Sequence, residues 1–284
     1  MMLDDAERFI TLNGRVLERR RFAFLFRDGP AAPVLAALDA YRNDDGGYGH
    51  ALEPDGRGPG SQPVHVLSAL DVLTELDAVG EHAKGICDYL ASITGPDGGA
   101  PFVHPNIREH PRAPWWEVTE DGSGSLLPTA AIAGHLHRAG VTHPWLDGAD
   151  SFCWQRIEHL TGTHAYEASA CARFLDHVPD RPRAQAAAKR LGALVREQDL
   201  IAFAGDVREG EAHKPHVYAP SPDSVAAAWF SEAELQASLD ELAAEQREDG
   251  GWPIHFLVWT PVTEFEWRPI ATIGALQTLR AYRS

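Results

Sequence analysis

A turn of Asp-Gly-Gly followed by an aromatic residue occurs three times, proline-led segments rich in small residues occur three times, and amphipathic segments alternate with them. These recurrences predict an all-α fold in which helical hairpins stack side by side: an α/α toroid of (α/α)6 type with about six inner and five to six outer helices. Residues 1–284 are read as a single domain of this kind.

The turns are Asp45-Gly46-Gly47-Tyr48, Asp97-Gly98-Gly99 with Phe102 nearby, and Asp249-Gly250-Gly251-Trp252. Gln198-Asp199 with Phe203 reads as a degenerate copy in the long gap between the second and third. Glycine accepts the positive φ that ends a helix, and the aromatic ring packs back onto the neighbouring hairpin.

The second series is Pro63-Val64-His65-Val66-Leu67-Ser68-Ala69-Leu70, Pro128-Thr129-Ala130-Ala131-Ile132-Ala133-Gly134-His135 and Pro269-Ile270-Ala271-Thr272-Ile273-Gly274-Ala275-Leu276. Each is expected to open a buried inner helix, because small side chains let backbones approach closely and few charges interrupt them. Ser61, Ser125 and Ser221 stand just ahead of Pro63, Pro128 and Pro222, where a hydroxyl caps free amides and the N–H that proline lacks is not missed. Inner helices are therefore expected near Ser61, Ser125, His164, Ser221 and Glu266, with Ala6–Phe26 as a further one.

Outer helices are expected over Ala31–Arg42, Glu81–Ile93, Trp145–Leu160, Arg181–Gln198 and Ser231–Gln246. The last has Leu235, Leu239 and Leu242 at helical spacing.

Apolar residues make up 44% of the chain, enough for a large core, and the formal charge is −16. That charge argues against nucleic acid or anionic lipid as partner, since both demand clustered Lys and Arg. The short Arg19-Arg20-Arg21 run reads as a solvated helix face. With no signal-peptide pattern at the start and no apolar run of membrane-spanning length, a cytoplasmic protein without integral membrane insertion is expected. Cys87, Cys153 and Cys171 are widely spaced and read as small core residues.

Gln246-Arg247-Glu248-Asp249-Gly250-Gly251-Trp252 and Asn43-Asp44-Asp45-Gly46-Gly47-Tyr48-Gly49 resemble the Gln/Trp-type repeats of squalene–hopene cyclases and protein prenyltransferases, the terpenoid cyclase superfamily. The resemblance covers most of the chain and implies the α/α toroid. Class II cyclases of that superfamily carry an Asp-x-Asp-Asp acid motif, which is absent here; Asn43-Asp44-Asp45 matches it only in part. The Asp/Cys/His zinc site of the prenyltransferases and the Cys/Cys/His site of lanthionine cyclases have no counterpart residue by residue, so no catalytic residue is carried over.

Candidate chemistry concentrates in the loops that lead into the inner helices. The first, from Tyr48 to Asp55, places His50, Glu53 and Asp55 within eight residues and is the leading catalytic segment. Glu53 or Asp55 could equally tie the glycine-rich stretch Gly56–Gly60 through backbone amides. The second contains His104, His110, Trp115, Trp116, Glu117, Glu120 and Asp121; the two indoles suit either a cation-guiding cavity or a sugar cleft. The third adds His164 and Tyr166, the fourth Glu211, His213, His216 and Tyr218, and the fifth Trp259, Glu264, Glu266 and Trp267. His65 and His135 lie on the inner helices themselves and are candidates to face the cavity.

No cofactor is expected, and zinc on His213 and His216 is a minor alternative. The leading expectation is an enzyme with a cavity for a largely apolar small molecule of isoprenoid kind, cyclised or isomerised after protonation by Asp55 or Glu53. Tyr48, His65, Trp115, Trp116, Glu117, His216, Tyr218, Trp259, Glu264 and Trp267 would line that site. Two alternatives stay open: a carbohydrate-active α/α-barrel enzyme (glycosidase, lyase or epimerase), and a non-catalytic binding protein on the same scaffold.

Overall fold

The computed structural model describes residues 2–118, 122–206, 208 and 210–283. Those residues are all-α: the elements are α1 (Met2–Asn13), α2 (Val16–Phe26), α3 (Ala32–Asp39), α4 (Pro63–Glu75), α5 (Val79–Ile93), α6 (Leu126–Arg138), α7 (Pro144–Glu158), α8 (Ala165–His177), α9 (Arg181–Glu197), α10 (Pro215–Tyr218), α11 (Glu232–Ala244) and α12 (Pro261–Ala281). Two short 3-10 turns, Pro105–Ile107 and Val225–Trp229, complete them, and no described helix is long and apolar enough to cross a membrane. The chain forms two compact units, one of Leu38–Leu191 and one of Met1–Ala37 with Gly192–Ser284, so their boundaries fall inside α3 and α9.

In the unit 38–191, α4, α6 and α8 each span thirteen residues. Asp71 and Thr74 near the end of α4 meet His135 near the end of α6, and Asp71 and His135 meet Arg173 near the end of α8. The C-terminal parts of the three helices therefore meet at one level. Gly134 permits the close approach of α6 to α8, since a Cβ there would lie 2.7 Å from the Arg173 carbonyl oxygen. The chain returns between them through α5 and α7, whose apolar faces carry the buried Ile86, Leu90, Leu146, Phe152 and Ile157.

Each Asp-Gly-Gly turn follows one helix and lands on another. Gly46, Gly98 and Gly250 hold φ of +86°, +87° and +93°. A Cβ on them would come within 2.4 Å of the Gly85 carbonyl oxygen on α5, 2.8 Å of that of Gly148 on α7, and 2.1 Å of that of Asp5 on α1. In every copy the aspartate accepts the N–H of the second glycine, at 2.8 Å for Asp45, 3.2 Å for Asp97 and 3.0 Å for Asp249. It also reaches toward the next inner segment: Ser61 Oγ donates to Asp45, the Gly124 amide to Asp97, and the Arg268 guanidinium forks onto both oxygens of Asp249 at 2.8 and 2.9 Å.

In the second unit the core gathers Phe9, Ile10, Phe22, Trp252, Ile273 and Leu276. The Trp252 indole N–H donates to the Leu242 carbonyl, and the Arg268 guanidinium lies 4.6 Å above the Phe9 ring.

The five expected outer segments coincide with α3, α5, α7, α9 and α11, and the inner starts near Ser61, Ser125 and His164 with α4, α6 and α8. Four expectations are corrected. Ala6–Phe26 is not one inner helix: the chain breaks at Asn13-Gly14, and α1 receives the Gly250 turn as α5 and α7 receive theirs. No helix begins at Ser221; α10 and the 3-10 turn Val225–Trp229 stand there, the turn capped by Ser224, whose Oγ accepts the Ala226 amide. Pro269 does not open a helix but lies inside α12, which starts eight residues earlier at the reciprocal Thr260–Thr263 cap followed by Pro261. A strong cap sets the start, and the helix tolerates the one hydrogen bond that the Pro269 nitrogen cannot donate. Ser61 and Ser125 do not cap α4 and α6 through their hydroxyls; Ser61 serves Asp45 instead.

Replacing Gly250 with Ala forces a Cβ into the Asp5 backbone at an unfavourable φ, and is expected to cost about 2–4 kcal/mol in chemical denaturation. Gly80→Ala, at the start of α5 with open space around it, is expected to be neutral or to stabilise by about 0.5 kcal/mol in the same measurement.

Candidate functional site

The segment that leads into α4 is strained before it reaches its carboxylates. His50 and Ala51 both take left-handed backbone conformations, with φ of 57° and 60°, which side chains with a Cβ adopt only where the surroundings enforce them. Here the Gly58 carbonyl accepts the His50 amide, and His50 Nε2 faces Asn43 Oδ1 at 3.0 Å. The turn brings the Glu53 amide to His65 Nδ1 at 3.0 Å, which leaves the proton of a neutral imidazole on Nε2. Glu53 Oε2 in turn accepts the Asp55 amide at 2.9 Å, the backbone tie that loop carboxylates commonly make. Asp55 and His65 are buried.

The following stretch pairs with the second loop. The Asp55 carbonyl accepts the Ala113 amide at 2.8 Å, and the Arg57 amide donates to the Pro111 carbonyl at 2.9 Å. Gly56 leaves room for Trp116, whose ring occupies the place of a Cβ. Trp116 is buried there, 5.8 Å from the His65 ring and 6.2 Å from that of Phe102. Tyr166, at the start of α8, is 38% exposed; burial and then the charge of Asp55 push its phenol above the ordinary range, so it stands within electrostatic reach of Asp55. The structure thus gathers Glu53, Asp55, His65, Trp116 and Tyr166.

Other candidates from the same loops lie elsewhere. Tyr48 is buried with its hydroxyl 3.3 Å from His82 Nδ1 on α5, and burial raises its pKa to about 12. Trp115 and Glu117 are exposed. Glu120 and Asp121 fall outside the described residues.

Below this cluster, where α4, α6 and α8 end, a second polar group appears. Arg173 Nη1 donates to Asp71 Oδ1 at 2.5 Å and also abuts His135 Nε2. His135 Nε2 is 3.0 Å from Asp71 Oδ1, and its Nδ1 is 2.7 Å from Thr74 Oγ1. Asp71 keeps 45% of its side chain accessible, yet desolvation is the strongest single influence on its carboxyl and acts to raise it. The Arg173 charge and the His135 bond outweigh that desolvation and hold Asp71 well below the usual carboxylate range. Burial, then Arg173, depresses His135.

The remaining candidates belong to the unit 1–37 with 192–284. His216 Nδ1 is 2.7 Å from Ser238 Oγ, and burial lowers its pKa to about 4. Tyr218 is buried, donates to the Leu200 carbonyl at 2.8 Å and lies 5.4 Å from the His213 ring. The Trp259 indole N–H is buried without a hydrogen-bond partner among the described residues. Glu264 is half-buried, and Trp267 meets the Phe256 ring edge-on at 5.2 Å. Among the described residues no group of three or more His, Cys, Asp and Glu is placed to hold a metal ion.

Sequence reasoning missed Asp71 and Arg173. Their signal was present: each is a charge flanked on both sides by apolar residues within a helix, Leu70-Asp71-Val72 and Ala172-Arg173-Phe174. No protein-family model matches this chain, and no curated protein matches it.

Two half-buried imidazoles make the fold sensitive to acid. His177, pushed down first by burial, and His216 both titrate at about 4 against an ordinary value of 6.5. Between those values the unfolded chain takes up protons that the folded chain refuses, so stability is full above pH 6.5 and falls as the pH drops toward 4. Denaturation midpoints measured across this range are expected to decline, and the decline to flatten in His177→Gln and His216→Gln.

Proposed function

We propose that this chain is an enzyme for a hydroxyl-rich small molecule of carbohydrate class, held over α4, α6 and α8 and served by Asp55 as general acid. The scaffold we propose is the closed α/α toroid of the terpenoid-cyclase and prenyltransferase kind. One observation carries the substrate class: apart from Leu67, the partly accessible residues along α4 and α8 are polar and recur at helical spacing, Ser68, Asp71 and Glu75 on one and Tyr166, Ser169 and Arg173 on the other. Such paired polar stripes match sugar hydroxyls, and aromatic faces beside carboxylates complete a saccharide site. Asp55 is the acid because its segment is held in strained geometry beside His65, and because the partly exposed Tyr166, which feels its charge, faces it from α8.

A second reading draws on a different observation. The His65, Phe102 and Trp116 rings beside the Asp55 segment suit the shielding of a cation, which favours acid-initiated cyclisation or isomerisation of an isoprenoid.

Incubation with a panel of oligosaccharides and a panel of isoprenyl diphosphates and squalene, with products read by mass spectrometry, separates the two. Saccharide products are expected. Asp55→Asn is expected to lower kcat by about 100-fold or more with KM little changed, the size usual for a general acid. A fully active Asp55→Asn enzyme would remove Asp55 from its role, and turnover of isoprenoids alone would replace the carbohydrate reading with the second.

A further inference from the structure

We infer that the free edge of Arg173, braced by Asp71 and His135, is a subsite for an anionic oxygen group, so that the saccharide taken at this site is an acidic one. The inference rests on the carbohydrate reading above and names the substrate more closely.

A guanidinium presents two edges that can grip an oxyanion with paired N–H groups. In Arg173, Nη1 is committed to Asp71 Oδ1 and abuts His135. The other edge, Nε with Nη2, makes no hydrogen bond among the described residues, while 39% of the side chain stays accessible. A structural arginine at this level of α8 would be expected to cap the last carbonyls of the helix. That duty belongs to Arg181, whose Nη1 donates to the Leu175 and Val178 carbonyls.

The bracing is built from buried parts. His135 is 6% exposed and bonded through Nδ1 to Thr74, so the imidazole that backs the guanidinium cannot swing away. Asp71 fixes the side-chain direction from α4, and its Oδ2 makes no hydrogen bond among the described residues. The arrangement therefore offers a two-pronged donor for a carboxylate or phosphate and, beside it, an acceptor for a hydroxyl of the same ligand. A neutral sugar can use the acceptor but brings the fork only uncharged oxygens, which bind it more weakly than an oxyanion does.

The local potential has the matching sign. His177, one turn further along α8, is held down to about 4 by burial and then by the charges of Arg138, His135, Arg173 and Arg181. Cations that disfavour a proton on His177 favour an anion beside Arg173.

Isothermal titration of the full chain tests the subsite with three probes: a uronic-acid oligosaccharide, its carboxyl-reduced neutral counterpart, and a sugar phosphate. Wild type is expected to bind an acidic probe at least about tenfold tighter than the neutral one, as fits one charge-assisted bidentate contact. Arg173→Lys keeps the charge opposite Asp71 but loses the fork, and is expected to erase that preference. Preference for the uronate or for the sugar phosphate identifies the source of the anion, and either supports the subsite. Equal affinity for acidic and neutral probes, or a preference that survives Arg173→Lys, overturns it.

Salt dependence of wild-type binding needs no variant: acidic-probe affinity should fall with rising salt, and a salt-independent preference also overturns the subsite. If wild type binds no saccharide, the carbohydrate reading fails by itself. Acetate and inorganic phosphate, titrated while the His135 and His177 imidazole resonances are followed, then decide the anion site alone. Shifts in wild type that vanish in Arg173→Lys sustain it, and unmoved resonances sink it.

Discussion

A single carboxylate–amide contact organises this protein. In each Asp-Gly-Gly turn the aspartate side chain receives the amide of the second glycine, which holds the first glycine at positive φ. That conformation presses the first glycine onto a helix backbone with no space for a side chain, at Gly85, Gly148 or Asp5. The same aspartate then collects a donor from the next inner segment, whether a serine hydroxyl, a glycine amide or an arginine fork. One side chain thereby sets the spacing of three pieces of chain, and because aspartate is short the tolerance is small.

The strained segment before α4 depends on this arrangement. Ser61, tied to Asp45, anchors the far end of the loop, while Asn43 holds His50 from the near end and donates to Ser61 Oγ at 2.9 Å. Between these ties, two left-handed residues and the His65 contact leave Glu53 and Asp55 with little freedom. Conformations of this kind cost free energy and persist where neighbours over-determine them, which makes their coincidence with a carboxylate pair informative about function.

The Asp71–Arg173 chemistry follows from helix geometry. Helices whose C-terminal parts meet bring residues of equal depth together, so single charges on α4 and α8 become an ion pair beside the buried His135 of α6. The apolar faces packed around them supply the desolvation felt by Asp71, and the ion pair answers it.

Local pattern was enough to read the helical class, the three turns and most helix positions, because amphipathic spacing, glycine pairs and proline at helix starts act within a few residues of chain. It also marked Asp55, Glu53 and His65, since residues close together in a loop stay close in space. What local pattern could not supply was the division of Ala6–Phe26 at Gly14, the competition that put the start of α12 at Thr260 rather than Pro269, and the absence of a helix at Ser221. Each depends on which of two local signals wins, and packing decides that. Nor could it distinguish Glu53 as the ligand of a backbone amide from Asp55 as the buried partner of Tyr166, or pair Asp71 with Arg173 across a hundred residues. Those meetings exist only once α4, α6 and α8 pack together, because contacts between residues far apart in the chain are set by how whole helices pack and by no nearby sequence.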